Sequence, residues 1–225
     1  MNYRNLHSWD VTAEEAVEIQ KQLRSLIKLT PLEDIRYVAG VDLAFPDKES
    51  GVAAIVVLDI TTMRVIEQVV AHEKVTFPYV PGLLAFREGP VFLKAWQQLN
   101  VLPDVVMFDG QGIAHPRKLG IASHMGLFID LPTVGIAKSH LYGSFIEPPN
   151  VQGSYTFLYD KNEVIGVVVR TKVGNKPLFV SPGHKCDVLS ALKLTLRCCV
   201  NHRLPEPTRL AHELTQKYKQ ATLFG

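Results

Sequence analysis

The sequence predicts an α/β fold on one central mixed sheet, an antiparallel meander first and parallel strands after it, flanked by helices. Two observations carry this. The apolar runs Tyr37 to Phe45, Val52 to Leu58 and Val65 to Val70 are joined by short polar turns at Pro46–Gly51 and Thr61-Thr62. Such turns leave no room for helical crossovers, so the three strands form a meander. Val105 to Asp109, a helix near Ile121 to Ile129 and the run Thr133 to Ala137 then read as a β-α-β unit, a parallel pair with a right-handed crossover.

The remaining elements follow from local signals. Thr12 with Glu15 forms a capping box that opens an amphipathic helix through about Leu26, which Pro31 helps to end. Pro78-Tyr79-Val80-Pro81-Gly82 is a stiff loop ahead of a helix from about Leu83 to Leu99. Tyr155 to Tyr159 and Val164 to Arg170 make a hairpin about Asp160-Lys161-Asn162, and helices near Val188 to Val200 and Pro207 to Tyr218 follow. A doubly wound nucleotide-binding fold would alternate strand and helix from the start. A meander followed by β-α-β is instead the order of the ribonuclease H-like fold.

Composition sets the outer bounds. A chain of 225 residues, 47% hydrophobic, buries a sizeable core as one domain, 1–225. The net charge of +2 excludes a histone-like polycation, so a nucleic-acid enzyme must gather cations locally, as Arg117-Lys118 and Lys138 do. Cys186, Cys198 and Cys199 lack metal-ligand spacing and cannot all pair within one chain, which fits a reducing compartment. The first ten residues have no signal-peptide core, and no apolar run reaches the roughly 18 residues of a membrane span. The chain reads as soluble and cytoplasmic, and nothing in it demands more than a monomer.

Two carboxylates stand out. Asp109 ends the apolar strand Val105-Val106-Met107-Phe108, and Asp42 lies in the apolar strand around Val41. Stripping water from a carboxylate costs several kcal/mol or more unless something compensates it. A divalent cation does so, and phosphodiester cleavage needs the charge neutralisation that Mg²⁺ on carboxylate oxygens provides. The aspartates meet if their strands are neighbours, and Glu88 on the preceding helix offers a third oxygen ligand. Taken singly, either aspartate is as well explained by a capped turn or an ion pair, and Glu88 beside Arg87 by a solvated helix face.

Around Asp109 the residue types suit phosphate. His115 and Lys138 are placed to donate to it, although a structural loop histidine and a solvated strand-end lysine are the plainer alternatives. Gly110, Gly112 and Gly120 expose backbone, a signal that turn geometry also explains. Tyr79 between two prolines suits wedging into a base stack; a packed tyrosine corner is the ordinary alternative.

Taken together, these stretches resemble the endonuclease V family. The resemblance rests on Val38-Ala39-Gly40-Val41-Asp42, Pro78 to Glu88, Asp109 to Arg117, Ala122 to Gly126, Pro132 to Lys138 and Leu204 to Arg209, in order along nearly the whole chain. It implies a ribonuclease H-like repair nuclease that recognises hypoxanthine in DNA. Such an enzyme uses Mg²⁺, for which Mn²⁺ can substitute, and cuts the second phosphodiester bond 3′ to deoxyinosine. By position, Asp42, Asp109 and Glu88 are the metal ligands, and His115 and Lys138 serve the phosphate. Pro78, Tyr79, Val80 and Pro81 form the strand-separating wedge, and Leu84, Gly110, Gly120 and Ile121 line the pocket for the flipped base. His212 aligns with a position that varies within the family and is a second-metal candidate. His184, in another fragment like the family's, carries no assigned chemistry.

Two other readings stand beside the DNA repair endonuclease. One is a ribonuclease of the same family acting on inosine-containing RNA; the other is a lesion-binding protein without catalysis. The acidic set argues against the second, because carboxylates repel phosphate unless a metal neutralises them. A simple phosphatase is disfavoured by the wedge loop.

Overall fold

In the computed structural model the backbone is described for residues 1–224 and the side chains for residues 1–219. Helix α1 (Ala13–Leu23) runs on through a single 3₁₀ turn, Arg24–Leu26. The capping box forms: Thr12 Oγ1 accepts from the Glu15 amide at 3.2 Å, and Glu15 Oε2 accepts from the Thr12 amide at 2.8 Å. Strands β1 (Tyr37–Ala44), β2 (Ser50–Asp59) and β3 (Val65–Lys74) form the expected antiparallel meander. Helix α2 (Leu84–Trp96) leads to β4 (Val105–Asp109), α3 (Ile121–Ile129) and β5 (Thr133–Ala137). After these come the hairpin β6 (Tyr155–Asp160) and β7 (Glu163–Val169), then β8 (Leu178–Pro182), α4 (Val188–Cys198) and α5 (Glu206–Phe224).

All eight strands join one sheet in the order β3-β2-β1-β4-β5-β8-β7-β6. The three central strands β1, β4 and β5 are parallel, and every other pairing is antiparallel. This is the ribonuclease H-like architecture anticipated from the order of elements. One strand, β8, was not anticipated. It inserts between β5 and β7, so the β6–β7 hairpin lies one strand further from the centre than hairpin logic alone suggests.

Alternation along the central strands divides the core between two layers. Ala39, Val41, Val106 and Phe108 point into the layer of α2 and α3, where Phe92 meets Phe108 edge-on at 5.0 Å between ring centroids. Val38, Val56, Val105 and Met107 point into the opposite layer with Ala191 of α4 and Ala211 of α5. Each large buried side chain contributes about 1.5–3 kcal/mol by leaving water. Among the described residues no helix is long and apolar enough to cross a membrane.

Candidate active site

The register of β1 on β4 brings the two aspartates together. Val41 pairs with Phe108, so the next residues, Asp42 and Asp109, stand side by side at the carboxyl ends of adjacent parallel strands. Asp42 shares the sheet face of Gly40, and Asp109 that of Val105 and Met107, so both look toward α5. A side chain at Gly40 would run into the backbone of Pro207 and Thr208; glycine there lets the start of α5 lie directly on β1. That approach delivers two α5 side chains to Asp42. Thr215 Oγ1 donates a hydrogen bond to Asp42 Oδ2, and His212 Nδ1 lies 3.3 Å from the same oxygen.

Donor atoms of Asp42, Asp109 and His212 all fall within 4.8 Å of one another. This converging set differs from the expected one. His212 stands with the two aspartates, while Glu88 is outside the trio, reaching the same end of the sheet from α2 in the opposite layer. Electrostatics still links Glu88 to the pair. Burial, then the charges of Asp109 and Asp42, push its carboxyl up to about 8. Asp42 is raised to about 6, chiefly by burial, with the Thr215 hydrogen bond opposing and the Asp109 charge adding. Two carboxyls driven toward their neutral forms mark a site short of positive charge, and two carboxylate oxygens with an imidazole nitrogen fit a divalent cation.

Lys138 follows β5 directly, and its Nζ forms an ion pair with Asp109 Oδ2. Arg203, which sequence reasoning passed over, holds Lys138 from behind. Its guanidinium donates to the carbonyl oxygens of Lys138 (3.2 Å), Pro177 (3.0 Å) and Lys176 (2.7 Å). Thr215 was also missed, although its i+3 spacing from His212 put both on one helix face.

Beside the carboxylates lies a cavity of about 400 Å³. Leu84, Gly110, Gly120 and Ile121 all line it, as do Tyr79, Glu88, Asp109 and Lys138. Helices α2 and α3 both begin here without a side-chain cap, at Leu83 and Gly120. The first amides of a helix have no partner within it. Here Gly120 and Ala122 donate to the Gly112 and Gln111 carbonyls, and Leu83 to the Val80 carbonyl, so the cavity receives two helix N-termini whose donors are already in part engaged. Tyr79 is 70% exposed rather than packed in a corner.

His115 behaves differently from the sequence-based expectation of a phosphate donor. It is buried; its Nε2 donates to the Gly82 carbonyl at 3.0 Å and its Nδ1 accepts from the Arg117 amide at 3.2 Å. Burial, and then the neighbouring Arg117 charge, lower its pKa to about 4. With both ring nitrogens engaged, this imidazole braces the loop that follows Asp109. The same loop is pinned to the unanticipated β8, through the Gly112 amide on Ser181 Oγ (2.8 Å) and the Ile113 amide on the Pro182 carbonyl (2.8 Å). His184 is buried as well; its Nδ1 accepts from the Lys28 amide at 3.3 Å and its Nε2 lies 3.6 Å from Asp130 Oδ1, so it ties the segment after α1 to the end of α3.

Paired aspartates at the carboxyl ends of parallel central strands, with a lysine beside them and an uncapped cavity alongside, define a ribonuclease H-like nuclease. Known proteins narrow this class. The endonuclease V family model matches residues 18–213, and the chain belongs to the endonuclease V family. It is 50% identical to Endonuclease V of Kosmotoga olearia over 226 residues, covering all of both chains. The crystal structure of Endonuclease V from Bacillus subtilis superposes with a TM-score of 0.91 at 37% identity, over 98% of this chain and 100% of that one. Endonuclease V of Ciona intestinalis, in complex with a 24mer DNA containing an inosine followed by a ribo-adenosine, superposes with a TM-score of 0.82. Its identity is 30%, over 93% of this chain and 98% of that one.

Proposed function

We propose that this endonuclease V is a Mg²⁺-dependent repair nuclease that recognises deoxyinosine in DNA and hydrolyses the second phosphodiester bond on its 3′ side. The observation that carries the proposal is the convergence of Asp42, Asp109 and His212 beside the lined cavity. Asp42 and Asp109 would hold the cation, with His212 as a further ligand and Glu88 as an outer carboxylate. When bound, the cation supplies charge to the phosphate and to the departing oxygen. Lys138 releases Asp109 and turns its ammonium to the phosphate as a compact positive charge. Tyr79, exposed on its proline-braced loop, fills the stack when the lesion nucleotide turns out. The single eight-stranded sheet supports treating residues 1–225 as one endonuclease V domain.

Selectivity for hypoxanthine follows from the cavity's donors. Hypoxanthine presents a carbonyl where adenine carries an amine. Helix-terminal amides at α2 and α3 that pair with the carbonyl would face donors of adenine, and a mispaired buried polar group costs about 1–3 kcal/mol.

A duplex with one deoxyinosine tests the reading, with the nick mapped to the nucleotide. Asp42→Ala and Asp109→Ala should each abolish Mg²⁺-dependent nicking while DNA binding survives. Full activity in both removes the metal assignment, and binding without any nick from the parent enzyme favours the lesion-binding alternative. A second reading, cleavage next to a ribonucleotide, is favoured by the ribo-adenosine after inosine in the Ciona complex. Single-ribose substitutions beside inosine separate the two, since dependence on the 2′-hydroxyl points to RNA.

A further inference from the structure

Three side chains from two distant segments meet on one backbone oxygen. The Gly82 carbonyl, at the end of the Pro78–Pro81 loop, accepts from Gln20 Nε2 (3.0 Å), Arg117 Nη2 (2.8 Å) and His115 Nε2 (3.0 Å). Gly82 has φ +79°, a conformation that costs little for glycine alone, and a side chain there would strike the Arg117 guanidinium. Gln20 is the centre of the arrangement. It lies on α1, outside the sheet and its two layers of core, yet it is 1% exposed and borders the lesion cavity. Its Nε2 also donates to the Leu119 carbonyl (3.4 Å), next to Gly120, and its Oε1 accepts from Arg117 Nε (2.5 Å). Each polar atom of the amide is thus assigned, and Arg117 fixes which way the amide faces. One residue spans the gap between the loop that bears Tyr79 and the wall where α3 begins.

We infer that Gln20 is a positioning residue that sets the wedge loop against the base pocket, so that parting the strands and capturing the turned-out base occur in register. A buried, fully bonded glutamine costs conformational freedom and desolvation that a leucine on the same helix face would not, and its partners among the described residues are the wedge end, the pocket wall and the arginine between them. Arg117 is the second strap on the same carbonyl. The inference rests on reading Tyr79 as the strand-separating wedge.

The test compares full-length enzyme on two substrates that differ only in the work of strand separation. One is a duplex with a paired deoxyinosine; the other carries the same deoxyinosine in an unpaired bubble. Gln20→Leu should lower kcat/KM on the duplex about tenfold relative to the bubble, the weight of roughly one buried hydrogen bond. The loss should appear in kcat with KM for the bubble unmoved, and 2-aminopurine beside the lesion should brighten less in the duplex complex. Arg117→Ala, at a half-buried position, should shift the same ratio in the same direction and serves if Gln20→Leu does not fold. Equal losses on both substrates, or none, overturn the inference. Tyr79→Ala separates the layers of argument. If it lowers the ratio while Gln20→Leu and Arg117→Ala do not, the positioning role alone is wrong. If Tyr79→Ala leaves the ratio unchanged, the wedge reading fails and takes this inference with it.

Discussion

Thr215 donates its hydroxyl to Asp42 across 173 residues of sequence, onto the oxygen that His212 Nδ1 approaches at 3.3 Å. The bond favours the charged carboxylate, the form a cation binds, against the burial that disfavours it. Groups that orient a ligand in this way typically govern metal affinity by about 10–100-fold. Thr215→Val should therefore weaken Mg²⁺ and Mn²⁺ binding by about tenfold or more in calorimetric titration, with unchanged secondary structure. Unaltered affinity would show that the hydroxyl serves only the helix.

Gly40 makes that geometry reachable. Gly40→Ala forces the start of α5 off β1, because the new methyl meets the Pro207 backbone, which cannot swing aside as a side chain can. Overpacking of this kind costs about 1–3 kcal/mol. The expected result is a lower Tm together with weaker metal binding, since Thr215 and His212 retreat with the helix. A loss of stability with metal affinity intact would uncouple the two.

Glu88 stores an opposing cost. Its carboxyl titrates near 8 in the fold against an ordinary 4.5, so the folded protein binds the extra proton between those values. Stability from this group is full below about 4.5 and is lost as pH rises toward 8. Glu88→Gln, which keeps the shape and removes the charge, should raise the metal-free Tm at pH 8, at roughly 2–4 °C for each kcal/mol recovered. The gain should shrink to a small fraction at pH 5 and vanish below about 4.5. On inosine DNA with Mg²⁺ the same variant should lose activity, the usual exchange of stability for a charged site.

Acid acts on the histidines in the reverse sense. His7, His115, His124 and His184 are all lowered, by burial first. The unfolded chain takes up protons below about 6.5, while folded His115 refuses them until about 4. Stability from this source is present above 6.5 and drains as pH falls through that window. In urea unfolding, His115→Gln should cost stability at pH 7 and recover about 1–2 kcal/mol of the difference at pH 5. A constant difference between parent and variant across the window would refute the assignment.

How much of this was legible in the sequence depended on range. β4, α3 and β5 could be bounded from residues alone, because short apolar runs between Pro103, Gly120 and Pro132 leave few choices. The pairing of Asp42 with Asp109 required only that β1 and β4 be neighbours. β8 escaped because Leu178 to Pro182 is brief, sits between Pro177 and Pro182, and earns its place by pairing with β5 some forty residues earlier. Gln20 looked like one more polar residue on an amphipathic helix, since nothing local reveals that it points inward. His115 lines the cavity with its ring turned to Gly82 and Arg117, and adjacency along the chain does not say which way an imidazole turns. Glu88 and His212 exchanged prominence for the same reason, their donor atoms being fixed by how helices lie on the sheet.

The direct seating of α5 on β1 also orders events in the life of the molecule. A ribosome-bound chain that has folded its sheet but not yet released α5 possesses both aspartates and neither His212 nor Thr215. Completion of the Asp42, Asp109 and His212 trio thus waits on the docking of α5, while the sheet alone already sets the two aspartates side by side.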